Sequence, residues 1–260
     1  MQTPHNPGPE PVKEKTGNEG RVQVIDRAVL LLRTLSRLKQ GGSALELSRL
    51  TGIDRTTIHR VLKTLAHWQL IEPQAGNYRI GPESLIYSTA YLNRLNLRRL
   101  ALPYAIELQR VIGERPAIVS ISMPVGDEVV LIERMWTPST PLNVIVDLAD
   151  QFPIDRVPSG RAILATYDDA TRLALLGEAR HAAVLPLLRD IAAQEGFSFG
   201  DSEFKPGLSS LAYPIQGQAS QAVGALVVAG LDLHDEMNAQ STLASHVRRA
   251  CEGIAVQLAS

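Results

Sequence analysis

Residues 43–68 read SALELSRLTGIDRTTIHRVLKTLAHW, and the spacing of their apolar positions predicts two short helices joined by a tight turn. Ser43 stands at an N-cap position ahead of a helix over 44–50, whose Leu45, Leu47 and Leu50 are available to a core. Thr51-Gly52-Ile53 makes the turn, and Asp54 caps a second helix over 55–68. Helix, short turn containing Gly, helix is the pattern of a helix-turn-helix. On the second helix Ile58, Val61, Leu62 and Leu65 face inward. Arg55, Thr56, Thr57, His59, Arg60 and Lys63 are left on or near the outward face. A helix lying in a major groove needs that distribution, because long donors and small hydroxyls must reach base edges.

Upstream, Val24/Ile25, Ala28/Val29, Leu31/Leu32, Leu35 and Leu38 recur every three to four residues, a helix closing near Gly41-Gly42. Arg27, Arg33 and Arg37 lie among its intervening positions; with Lys63 they suit phosphates, which set affinity rather than sequence. Downstream, 70–73, a turn at 74–77 and 78–80 read as a small hairpin. A hairpin directly after a recognition helix is a wing, and Arg79 with the polar turn is placed for backbone or minor groove. His67 caps or packs near a helix end. Ordinary helical bundles also show such spacings, so the wing and the local charge carry the assignment beyond the motif alone.

That charge is hidden in the total. The 260 residues carry a formal charge of −1, which taken alone argues against nucleic acid. From 21 to 80, however, ten Lys/Arg face four acids, a net of +6, and from 81 to 260 fourteen bases face twenty acids, a net of −6. A basic module is joined to an acidic one. Hydrophobic residues make up 45%, as a packed core requires. A single cysteine, Cys251, excludes an intramolecular disulfide and fits a reducing compartment. No apolar run reaches the roughly 18–20 residues that span a bilayer, and no apolar stretch near the N-terminus suggests a secretory signal. The expectation is a soluble cytoplasmic protein without membrane contact. Residues 1–20, with prolines at 4, 7, 9 and 11, are expected to form a flexible arm.

Beyond the wing, 82–96 fits a linker helix, and a further helix runs to about Gly113 with its start set by Pro103. Strands are expected over 116–123 and 128–135 as a hairpin about 125–127, and over 142–146. Helices are expected from Ser159 to Ala165, over 185–195 and over 239–258, with antiparallel strands over 208–216 and 222–231. One sheet flanked by helices is an α+β, sensor-like architecture.

VQVIDRAVLLLRTLSRL, ALELSRLTGIDRTTIHRVLKTLAHWQLIE and NYRIGPESLIYS, in that order, resemble the DNA-binding half of the IclR family of bacterial transcription regulators. Asp26-Arg27-Ala28, Gly52 with Thr57-x-His59-Arg60, and Tyr78-Arg79-Ile80-Gly81 are the most specific parts. The resemblance implies four regions: an arm (1–20), a winged helix-turn-helix (21–81), a linker helix (82–98), and a GAF-like effector-binding and oligomerisation domain (99–260). PIDRVPSGRAILA resembles the family's stretch around its Gly-Lys/Arg-Ala helix, with Gly160-Arg161-Ala162 at those positions. GFSFGDSEFKPGLSSLAYPI resembles the second landmark, with Asp201, Glu203 and Gly207 matching. Two departures stand out: Ser210 where members often carry cysteine, and Gly200 where a first acid is frequent. Serine at 210 is similar to the subgroup controlling aromatic-acid catabolism, although Ser209 replaces that subgroup's usual arginine.

The resemblance implies a double-stranded operator, a small organic-acid effector and a homodimer or dimer of dimers as partners. For the acid, the helix start at Ser159-Gly160 offers an anion site, Ser209 and Ser210 offer hydroxyls, and Arg161 or Arg134 a charge. Ser159 reads equally as a plain cap and Asp201 as a turn residue. An enzyme is not expected: PSGR is not G-x-S-x-G, no phosphate-binding glycine loop occurs, and the six histidines never pair at ligand spacing. Neither cofactor nor metal is expected. The alternatives are an enzyme processing small acids in the C-terminal pocket, or a ligand sensor that binds no DNA.

Overall fold

The computed structural model describes Gly20 and residues 22–145, 147–148, 150–203, 205–217 and 220–260; the expected arm, apart from Gly20, lies outside the described residues. The chain divides into two compact units, Met1–Asn93 and Arg94–Ser260. No helix among the described residues is long and apolar enough to cross a membrane.

The first unit is built from α1 (Gln23–Arg37), α2 (Ala44–Thr51), α3 (Arg55–His67) and a hairpin, β1 (Ile71–Gln74) with β2 (Asn77–Ile80). Its core is the predicted stripe: Leu31, Leu35, Leu47, Ile58, Leu62 and Ile71 are almost wholly removed from water. Each such side chain contributes about 1.5–3 kcal/mol relative to exposure. Gly52 ends α2 in the left-handed conformation (φ 71°), the C-terminal stop that turns the chain toward α3. Ser43 and Asp54 cap as read, accepting the backbone N–H of Glu46 at 3.2 Å and of Thr57 at 2.9 Å. The hairpin turns on Ala75 and Gly76, both at positive φ, a type I′ geometry that matches strand twist. Gly42 pairs with Tyr78 in an antiparallel bridge, and a Cβ at Gly41 would lie 2.4 Å from the Tyr78 carbonyl oxygen. The wing is thereby fastened to the α1–α2 connection.

α4 (Glu83–Arg94) follows, and none of its residues is buried.

The second unit is one six-stranded antiparallel sheet with helices on both faces. Its elements are α5 (Asn96–Ile112), β3 (Ala117–Val125), β4 (Glu128–Trp136), β5 (Gln151–Pro153), α6 (Pro158–Ala165), α7 (Asp169–Ala193), β6 (Ser198–Asp201), β7 (Ser209–Gln216), β8 (Ala222–Gly230) and α8 (Thr242–Ala259). The strand order is β5-β4-β3-β8-β7-β6. Alternation along β8 separates the faces. Gly224 turns toward Leu97 of α5 and Leu226 lies by Cys251 of α8, whereas Ala225 joins the cluster of Ile163, Leu164, Val184 and Leu188 from α6 and α7.

Four expectations are corrected. Pro103 does not start a helix but sits inside α5; a proline costs one intrahelical bond, and the buried row Leu97, Ala101, Ala105, Leu108 and Ile112 holds the helix across it. The segment read as a strand over 142–146 forms a 3₁₀ turn, Leu142–Val144, because β5 takes the free edge of β4 (Val146 lies outside the described residues). The helix read over 185–195 is the second half of α7, which begins at Asp169 and is interrupted at Gly177 (φ 72°). Asp201 is not in a turn but ends β6, a strand too short to show alternation.

α6 lies very close to the chain before it: a Cβ at Gly160 would be 1.9 Å from the Ile154 carbonyl oxygen. Gly160→Ala is therefore expected to cost about 1–3 kcal/mol as overpacking of a rigid contact, read as a lowered midpoint in thermal unfolding. An unchanged midpoint would show that this approach is not built as described.

Candidate nucleic-acid interface and effector site

Ile58, Val61, Leu62 and Leu65 are the buried residues of α3. The helical period sets Thr56, His59, Arg60 and Lys63 opposite them, with Arg55 and Thr57 at the flanks. All but Thr57 are exposed, and Thr57 is half-buried because its N–H serves the Asp54 cap. Backbone and side-chain hydrogen bonds from Thr57, with the charge of Arg27 adding to them, hold the Asp54 carboxyl below its ordinary range. The cap is thus ionised throughout neutral pH and fixes the end of α3 that carries Arg55 and Thr56. Among the described residues the side chains of Arg55, His59, Arg60 and Lys63 have no hydrogen-bond or ion-pair partner. Three donor groups on the outward face and a fourth at its flank, none spent internally, are suited to an anionic groove.

Around α3, the Ser43 hydroxyl oxygen accepts from Glu46 and its hydrogen remains available at the start of α2, where backbone N–H groups favour phosphate. Arg27 is half-buried beside the Asp54 cap. Arg79 is less available: its Nε and Nη2 donate to the Gln40 carbonyl and side chain at 3.4 and 3.2 Å. Arg49, exposed on the last turn of α2, was missed in sequence reading; its place on the helix before the turn was the signal.

The residues read as an effector pocket do not form one group. In β6 and β7, Asp201 opposes Ser209 and Gly200 opposes Ser210, so the two pairs point to opposite faces. Ser209 is buried and donates to Asp201 at 2.9 Å, with His234 Nδ1 3.7 Å from the same carboxylate. Ser210 lies on the α6 face, where a Cβ at Gly200 would meet Pro158, the Ser210 hydroxyl and Glu203 within 3.1 Å. Ser159 and Gly160 are buried at the start of α6. Arg161 is buried too, and its charge is already matched: Nη2 donates to both Glu203 oxygens at 2.9 Å and to the Phe199 carbonyl at 3.1 Å.

Arg134 stands on β4, four strand spacings from β6, roughly 19 Å away across the sheet. It shares the α6 face, since the cross-strand row Trp136–Ile118–Ala229–Ser210 is followed by Arg134–Ser120–Val227–Ala212. Its guanidinium lies 5.3 Å over the Trp136 ring, and Nη1, buried, has no hydrogen-bond partner. Ser120, directly opposite, is buried and was missed; a polar residue inside the apolar run PAIVSISM was its signal. No group of three His, Cys, Asp or Glu that would hold a metal occurs among the described residues. Cys251 is buried against the Tyr213 carbonyl, and burial pushes its thiol well above the ordinary range, so it is no nucleophile.

Comparison with known proteins places these two units. Residues 24–75 match the IclR helix-turn-helix domain, and residues 89–256 match the C-terminal domain of the bacterial transcriptional regulator IclR. The HTH-type transcriptional regulator TtgV of Pseudomonas putida is 29% identical over 168 residues, 64% of this chain and 62% of that protein. The Pca regulon regulatory protein of Pseudomonas putida is 25% identical over 224 residues, 82% of this chain and 76% of that one. Among solved structures, an IclR homolog from Microbacterium hydrocarbonoxydans complexed with 4-hydroxybenzoate shares the fold, with a TM-score of 0.67 and 20% identity over 90% of this chain and 98% of that chain. An IclR family transcriptional regulator from Brucella abortus superposes with a TM-score of 0.77 at 18% identity, covering 92% and 94%.

Proposed function

This chain belongs to the IclR family of bacterial transcriptional regulators, and from that premise we propose that it reads a specific operator with α3 and releases or holds it according to a small organic acid bound in the second unit. The observation that carries the reading is the face of α3: Thr56, His59, Arg60 and Lys63 point away from the core, and its cationic side chains are unspent. In this reading Arg55, Thr56, Thr57, His59 and Arg60 address base edges. Lys63, Arg27 and Ser43 address phosphates, and Arg79 steadies the wing more than it contacts DNA.

Two copies act together, since one recognition helix spans too few base pairs to select a site from a genome. The exposed apolar side chains of α4, Leu85, Ile86, Tyr87 and Tyr91, support that assembly. In this reading the work is done in the cytoplasm, where the DNA is, and without catalysis, as the regulatory names of the relatives above support. The Pca regulon name of one relative and the ligand of the Microbacterium structure support an aromatic acid as the first effector to try.

The test is a fluorescence-anisotropy titration of the full chain against duplex from its own upstream region, at several salt concentrations. We expect binding at least ~10³-fold tighter than to scrambled duplex, with log affinity falling steeply against log salt. Equal affinity for both duplexes, or salt-independent binding, overturns the reading.

A further inference from the structure

The best-placed cation on the α6 face of the sheet is only half satisfied. Arg134 is 18% exposed at its side chain, its Nη1 is buried without a hydrogen-bond partner, and the carboxylate facing that atom is Asp147, at 3.8 Å, beyond hydrogen-bond range. Asp147 belongs to the connection between β4 and β5. That connection begins on a buried anchor: the Thr137 hydroxyl donates to the Arg115 carbonyl, and Thr140 donates to the Ala117 carbonyl at 3.0 Å. Val144 then packs on Ile118 and Leu208. Asp147 itself is 58% exposed, with its N–H held by Asp150 at 3.1 Å. A buried guanidinium hydrogen is costly to leave unpaired, and a carboxylate at hydrogen-bond distance would supply what Asp147 does not. The surroundings suit a compact apolar body behind that carboxylate: Ser120 lies opposite Arg134, Trp136 lies beneath its guanidinium, and Ile118, Val227 and Ala229 continue the same face across β3 and β8.

We propose that Asp147 occupies, at a distance, the anion position of Arg134, and that a monocarboxylate with an aromatic or branched apolar body displaces it and takes the bidentate place. The inference rests on the reading of an organic-acid effector and adds where the acid binds and which side chain competes with it. Arg161 cannot take that part, because Glu203 already holds it. Displacing Asp147 releases one charged contact between the β4–β5 connection and the sheet, the local event that ligand binding would trigger.

Trp136 makes this measurable, since the chain has two tryptophans and Trp68→Phe leaves Trp136 as the sole tryptophan, excited selectively at the red edge where the tyrosines do not absorb. In that background, full-length wild type, Asp147→Asn and Arg134→Gln are titrated with benzoate, phenylacetate, acetate and, as a neutral isostere, benzamide; calorimetry repeats the benzoate arm. Folding of each variant is checked by thermal unfolding, with Arg134→Lys as a second variant that keeps charge but not the planar fork. The expected result is a response to benzoate or phenylacetate and none to benzamide. Asp147→Asn should lower the half-saturating concentration about tenfold, because a like-charge competitor has gone. Arg134→Gln should abolish the response and Arg134→Lys should weaken it. If the acids bind wild type and Asp147→Asn equally, the competition is wrong while the acid-effector reading stands. If no acid binds either protein, both fall, and the DNA titration above stands by itself.

Discussion

Replacing Arg60 by alanine is expected to weaken operator binding by about 1–3 kcal/mol and to relax preference at the base pair it reads. The size follows from where the side chain stands. Arg60 projects from the middle of the outward face of α3, nearly two turns beyond the Asp54 cap, and its side chain has no partner among the described residues. Its loss leaves Val61 and Leu62 in place, so the fold should melt unchanged. Lys63→Ala is the matched control. A phosphate contact carries no sequence information, so that variant should weaken binding to operator and scrambled duplex alike and reduce the salt slope by about one. Equal losses on both duplexes for Arg60→Ala would move Arg60 from base reader to phosphate contact; no loss for either variant would remove α3 from the interface.

A larger effect is expected from α4. Substituting Leu85 and Ile86 together by aspartate should turn the protein into a monomer by light scattering. It should also bring operator affinity down to the non-specific level, about three orders of magnitude or more. A helix of 12 residues without a buried side chain lacks the packing that supports most protein helices, and one of this length is marginal alone in water. Its apolar residues are not confined to one stripe: Leu85, Ile86, Tyr87 and Tyr91 occupy several sides, the composition of a helix that is enclosed. Because both positions are exposed within the chain, the substitution leaves the cores of the two units untouched. A variant that remains dimeric and binds normally would mean that α4 is not the seam between copies.

The helix-turn-helix was legible because everything it needs is local: a cap, a 3.6-residue stripe and a glycine at the turn fall within 26 consecutive residues. The second unit was legible only as a class. Pro103 misled because burial along a whole helix outweighs one lost bond. The 142–146 segment misled because a single buried valine beside exposed neighbours imitates alternation. β5 and β6 were invisible because strands of three and four residues carry no period, and their pairing is set by partners far away in the chain. The residues read as effector-binding looked like one group for a related reason. Alternation does tell Ser209 from Ser210, yet which face lies under α6 and which under α8 depends on packing that no short stretch encodes. Arg134 was readable as a charge; that Glu203 neutralises Arg161 and leaves Arg134 the freer of the two was not.

The opposed directions of Ser209 and Ser210 also bear on how such a protein changes over generations. On the proposed reading of an acid bound on the α6 face, position 210 and its cross-strand neighbours can be exchanged to suit a new metabolite while 209 and its row continue to hold the other layer together. A sheet wired in this way lets chemical taste drift without endangering the fold. A one-residue insertion in β7 would exchange the two roles at a stroke, and selection should tolerate substitutions there far more readily than indels.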